Sequence, residues 1–204
     1  TISIDSATGV VTFTQLKNVW NADATNPDDS ATLTTATADA LQVVQTVTDA
    51  DGDKASAAIN LGSGVFKIED DGPSATVQPG AAGTADTLVL DESPLAEGGK
   101  ASTTASFADN FTPVAGIDYG TDGAGGVGYA LKLTGTDVGS GLYALQPSDT
   151  SATDGDGIGQ GDQIVLNQDA TTGVITGSAG GQNYFTISIN SATGEVTFTQ
   201  LQNI

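Results

Sequence analysis

Three carboxylates stand within five residues at Asp49-Ala50-Asp51-Gly52-Asp53, with a glycine that lets the backbone turn back on itself. Like charges at that spacing repel one another unless a cation sits among them. Alternate aspartates across a turn can converge as oxygen ligands, and Ca2+ takes six to eight of these from carboxylates, carbonyls and water. The EF-hand pattern is not met, because no glutamate follows at the twelfth position and the flanks alternate as strands do. The alternative is a polar hairpin loop with solvated aspartates. A second acidic run, Glu69-Asp70-Asp71-Gly72-Pro73, follows the alternating stretch Val65 to Ile68. A cation there would replace repulsion by shared coordination if a further acid joined it, and Asp91 or Glu92 is the candidate. Its alternative is an acidic linker. Asp28/Asp29, Asp118/Asp122 and Asp154/Asp156 are weaker pairs, since Asp beside Gly is ordinary turn chemistry.

Composition removes most other chemistry. The 204 residues include 25 acids and 5 basic residues, for a formal charge of −20, and all five bases are lysines (Lys17, Lys54, Lys67, Lys100, Lys132). Such a field repels phosphate, which argues against nucleic acid and against anionic membrane surfaces. No run approaches the roughly 18 apolar residues of a membrane-spanning helix, and no signal peptide opens the chain. Cysteine, histidine, arginine and methionine are absent, so disulfides, thiolate metal sites and the usual general base are absent too. Two carboxylates can hydrolyse glycosides, but no arginine or histidine is available to orient a substrate, and no enzyme is expected. Trp20 and Tyr143 could stack on sugar rings beside a calcium ion, which keeps carbohydrate binding as a rival; a tryptophan after a strand more often plugs a core or an edge.

The elements that must position these residues are strands. Leu41, Val43 and Val47 alternate before the acidic loop, and Ala55, Ala57, Ile59 and Leu61 alternate after it, which predicts a hairpin. Hairpins are also predicted for Thr1 to Leu16 and for Ile164 to Ile175, the latter around Asp169 to Gly173. Short strands are expected at Val65 to Ile68, Thr87 to Leu90, Val127 to Leu133 and Leu142 to Leu145, with the acidic run leading into Ser74 to Val77. Residues 96–112 are small and polar, with Phe107 and Phe111 as anchors, and Thr32 to Val44 has room for a helical turn. Short strands with Gly/Asp turns imply an all-β, antiparallel β-sandwich. The alternation argues against a disordered acidic chain.

The chain repeats itself. Residues 186–204 match residues 1–19 at 15 of 19 positions, the changes being Asp5/Asn190, Val10/Glu195, Lys17/Gln202 and Val19/Ile204. The period is about 185 residues, and the expectation is a window on a tandem array. A start at Thr1, within a strand and without methionine, agrees with a piece of a longer polypeptide. On this reading residues 1–70 close one repeat, 71–73 form an acidic junction and 74–204 open the next. A permuted domain completed by strand exchange between neighbours is the alternative.

Three phrases together carry a resemblance: Phe-Thr-Ile-Ser-Ile…Gly-Glu-Val-Thr-Phe-Thr-Gln at 185–200, Val-Thr-Asp-Ala-Asp-Gly-Asp at 47–53, and Phe-Lys-Ile-Glu-Asp-Asp-Gly-Pro at 66–73. In that order the chain resembles the long repeats of type I-secreted RTX adhesins of Gram-negative bacteria, most densely in 1–73 and 183–204. The RTX nonapeptide itself is absent. The resemblance implies immunoglobulin- or cadherin-like extender repeats stiffened by Ca2+. It further implies an extracellular, surface-anchored or released adhesin serving cell adhesion and biofilm formation. Its partners would be neighbouring repeats, with host or surface glycans bound through other domains. A self-assembling extracellular fibre, and a calcium-dependent carbohydrate-binding module, are the rival functions.

Overall fold

Twelve strands form among the described residues, and every pairing between them is antiparallel. The computed structural model describes residues 1–91, 100–111, 116–151, 153 and 155–204. The chain divides into two units, one of residues 1–74 with 118–125 and the other of residues 75–117 with 126–204. The fold is all-β and sandwich-like, as the alternation predicts.

The first unit holds β1 (Ile2–Ile4), β2 (Val11–Phe13), β3 (Ser30–Thr34), β4 (Gln42–Thr48), β5 (Lys54–Asn60) and β6 (Ser63–Glu69). They pair two by two, β1 with β2, β3 with β6 and β4 with β5. Its interior is slight. Phe66 is the single buried hydrophobic side chain of this unit among the described residues, with Phe13 packed on it at a ring separation of 5.0 Å. Val44, Val47 and Ile59 on the β4–β5 hairpin are more than half exposed. Within the same unit acidic side chains outnumber lysines thirteen to three. Little apolar burial and much like charge make a weakly held unit.

The second unit is built on one six-stranded sheet. Its strands are β7 (Ala101–Ser106), β8 (Val138–Leu145), β9 (Gln160–Gln168), β10 (Ile175–Ala179), β11 (Gln182–Ile189) and β12 (Glu195–Gln200), in the order β7-β12-β11-β10-β9-β8. Ile164, Ala144, Ala179 and Phe185 form its core, with Leu166, Tyr184, Ile187 and Phe198 packed against them. The Phe185 and Phe198 rings meet edge to face at 5.2 Å, a favoured aromatic geometry. Gly177 lies opposite Phe185 in the β10–β11 ladder, and a Cβ there would overlap the ring.

Three five-residue hairpin loops share one construction. Asp5, Asp169 and Asn190 each donate their N–H across the loop mouth, to Val10, Val174 and Glu195, and each accepts a bond from a glycine, Gly9, Gly173 or Gly194. The side-chain oxygen of each then takes two loop N–H groups, those of Ala7 and Thr8, Thr171 and Thr172, and Ala192 and Thr193. This is Asx-turn chemistry.

Several expected strands are different in the structure. Val127 to Leu133 alternates in burial at Tyr129, Leu131 and Leu133, but it joins no ladder. The Gln168 side chain stands in for a partner strand, accepting from the Leu133 N–H at 2.9 Å and donating to the Leu131 carbonyl at 2.9 Å. Thr87 to Leu90 is not a strand, and after the acidic run Ser74 makes a lone bridge to Asp118. Thr32 to Val44 carries the ends of β3 and β4 with no helical turn. β7 lies in the stretch expected to be merely small and polar; Ala-Ser-Thr-Thr-Ala-Ser offers no apolar alternation, and its place comes from pairing with β12.

Replacing Gly177 by Ala forces the Phe185 ring out of its place in the core. Overpacking of this kind costs about 1–3 kcal/mol. Urea unfolding of G177A should show that loss in the second unit, and an unchanged midpoint would mean the ring has room to move aside.

Candidate metal site

The β4–β5 register runs from Gln42 opposite Asn60 to Thr48 opposite Lys54 and leaves residues 49–53 as the connecting loop. Valine, isoleucine and threonine on these strands favour the pleated backbone, and the loop closes by the chemistry of its first residue. Asp49 donates its N–H to the Asp53 carbonyl at 3.0 Å, and its Oδ1 accepts the N–H groups of Gly52 and Asp53 at 3.1 and 2.8 Å. Gly52 sits at φ +102°, which side chains with a Cβ rarely adopt. Asp49 therefore does here what Asp5, Asp169 and Asn190 do in the other hairpins.

Turn chemistry accounts for Asp49 and Gly52. It does not account for Asp51 and Asp53. One oxygen from each of Asp49, Asp51 and Asp53 lies within 4.8 Å of the other two, and all three residues are exposed. Two oxygens on opposite sides of a calcium ion, each at about 2.4 Å, stand about 4.8 Å apart. The three carboxylates thus fit around one hard cation, with carbonyls and water left to complete its shell. Three oxygen donors with no nitrogen or sulfur suit Ca2+ better than a transition metal. The Asp49 carboxyl is held below the ordinary aspartate range, first by a hydrogen bond with the Asp51 carboxyl. Desolvation opposes this, and the N–H groups of Asp53, Gly52 and Asp51 add to it.

The second acidic run is placed differently. Glu69 ends β6, and the backbone after it is pinned by residues far away in sequence: Asp70 N–H to the Asp29 carbonyl at 2.8 Å, Gly72 N–H to the Pro27 carbonyl at 2.9 Å, and Thr121 N–H to the Asp71 carbonyl at 3.2 Å. Glu69, Asp70 and Asp122 line a small polar pocket with Gln15, Asn18 and Asn21. Asn18 donates to Asp122 at 2.8 Å, and Asn21 donates to Asp29 at 2.7 Å. Amides therefore meet Asp122 and Asp29. The Asp118 carboxyl, in the same unit, is lowered by the Gly120 N–H and then by the Ser74 hydroxyl. Among the described residues, Asp49, Asp51 and Asp53 make the one converging group of three acids, and Glu69, Asp70, Asp71 and Asp91 are not in it. Asp91 belongs to the other unit, and Glu92 and Asp154 lie outside the described residues. The roles of Asn18, Asn21 and Thr121 had no local signal, because their partners are 8 to 104 residues away.

Two measurements follow from the turn chemistry. Asp5 is lowered by the N–H groups of Ala7 and Thr8, and Asp169 by the N–H and hydroxyl of Thr172 and then the N–H of Thr171. Their folded pKa values lie below the unfolded one, so their stabilisation is full above about pH 4 and is lost as pH falls through the folded values. Carboxyl NMR titration should find both below free aspartate, and D5N should keep its loop at all pH, as Asn190 does. In the acidic loop, Asp49→Ala should lower the melting temperature of the first unit even in chelator, while Asp51→Ala should not. Equal losses in chelator would mean that Asp51 also holds the turn.

Comparison with curated proteins returned no match, and comparison with solved structures returned none either. One family model matches, over residues 1–62 and 87–204, and is described as a domain of unknown function, DUF5801. That match takes in the acidic loop, the duplicated hairpins and the six-stranded sheet, and the chain belongs to the DUF5801 family.

Proposed function

We propose that this chain is a structural extender segment of a secreted bacterial surface adhesin of the RTX kind, stiffened by calcium at the Asp49–Asp53 loop. The observation that carries the reading is the convergence of three carboxylates, two of them without a role in their own turn. It falls in the unit with a single buried hydrophobic side chain among the described residues and a large excess of negative charge. A cation bound to the folded loop and not to the unfolded chain adds stability where the core supplies little. At one hundred times its dissociation constant the gain is about 2.7 kcal/mol. The near-identity of residues 1–19 and 186–204 supports a tandem array, in which rigidity passes from repeat to repeat. Such an array holds ligand-binding domains away from the cell, with neighbouring repeats as its immediate partners and an extracellular location.

One observation favours a second reading. Trp20 is 84 % exposed, so it plugs neither core nor edge in the described structure. An exposed indole can stack on a sugar ring, as a calcium-dependent carbohydrate-binding module would require.

Calorimetry in calcium and in chelator separates these readings from a calcium-independent one. Two transitions are expected, with calcium raising that of the first unit and leaving the second unit unmoved, and Asp51→Ala abolishing the difference. A single transition indifferent to calcium would remove the stiffening role. Binding on a glycan array that W20A abolishes would favour the module over the extender.

A further inference from the structure

The same hairpin occurs twice in this chain in two surroundings. β11 and β12 lie inside the six-stranded sheet, with β10 along the outer edge of β11 and β7 along the outer edge of β12. β1 and β2 are their sequence counterparts at an offset of 185 residues, and they form a sheet of two. Asp5 donates to Val10, and Thr14 donates to Thr1, so those pairs bond inward across the hairpin. In an antiparallel ladder the alternate residues, here Ile2, Ile4, Val11 and Phe13, direct their N–H and C=O groups outward. No strand meets those outer edges among the described residues.

Side chains report the same difference. Val196 is 8 % exposed and its counterpart Val11 is half-buried; Gln200 is 4 % exposed and Gln15 lies open. Ile187 and Ile189 are half-buried, whereas Ile2 and Ile4 are 37 % and 48 % exposed. Identical residues in a near-identical hairpin carry the same requirement for cover, and the second copy displays what supplies it.

We infer that the hairpin β1–β2 is the closing hairpin of another six-stranded sheet, whose other strands are a β7–β10 segment from a preceding copy of this repeat in the same polypeptide. The twin fixes the register. Val11 pairs with the counterpart of Ala105, Phe13 with that of Thr103 and Gln15 with that of Ala101, while Ile2 pairs with the counterpart of Ile175. Each array member then consists of the sheet unit followed by the acidic unit, with the closing hairpin joining them. This rests on the tandem duplication and stands whether or not the acidic loop takes a cation. Exposed strand edges are ready templates for pairing, and this one carries a sequence already matched to its partners.

The test places a second copy of residues 20–185 ahead of Thr1 in an otherwise unaltered chain and follows amide exchange by mass spectrometry. The differences at residues 5, 10, 17 and 19 distinguish peptides of the two hairpins. Exchange at Ile2, Ile4, Val11 and Phe13 should slow roughly a hundredfold or more, to the level of Ile187, Ile189, Val196 and Phe198, the difference between frayed and core amides. Exchange unchanged from that of the 204-residue chain would overturn the inference. So would concentration-dependent protection of these amides in the 204-residue chain alone with a dimeric mass, since the strands would then come from another molecule.

Discussion

Repulsion among carboxylates is the constraint on which the first unit depends. Asp49, Asp51 and Asp53 crowd the tip of the β4–β5 hairpin, and Glu69, Asp70 and Asp122 line a pocket in the same unit. Against this the unit buries one phenylalanine, Phe66, among the described residues. A fully buried side chain of that size contributes about 1.5–3 kcal/mol, too little to hold a crowded acidic unit by itself. The carboxylates of Asp29 and Asp122 are met by the Asn21 and Asn18 amides, and that of Asp29 also by the Asp23 N–H. Those at 49–53 are partly met by their own loop, and that loop leaves two carboxylates over.

The second unit solves the folding problem in the ordinary way. Its sheet lays Ile164, Phe185 and their neighbours into one core, and Gly177 gives the Phe185 ring its seat. One chain thus joins a unit held by apolar packing to a unit whose stability is tied to charge. In the proposed extender, a repeat made of both would be stiff in a calcium-rich medium and loose without it.

Much of this is visible in the residues alone. Alternation at Val43, Val47, Ala55 and Ile59 marks the hairpin under the acidic loop, and the 15 identities between residues 1–19 and 186–204 mark the duplication. What escapes is set by partners distant in sequence. β7 has no apolar pattern and is a strand because β12 lies beside it. Val127 to Leu133 has the pattern and lacks the ladder; the Gln168 amide bonds the Leu133 N–H and the Leu131 carbonyl in its place. The neighbours of Glu69 and Asp70 come from residues 15–29 and 121–122, which no local motif announces. Nor does the sequence distinguish Asp49, which caps its turn, from Asp51 and Asp53, which do not; only the hydrogen bonds separate them.

The proposed dependence of the first unit on a divalent cation at the 49–53 loop is open to titration of the isotope-labelled chain with calcium, followed by backbone amide shifts. Saturable shifts centred on Asp49 to Asp53 are expected, with sharpening of resonances across the first unit and none of comparable size in the six-stranded sheet. Shifts that fail to saturate, or that centre away from this loop, would contradict it.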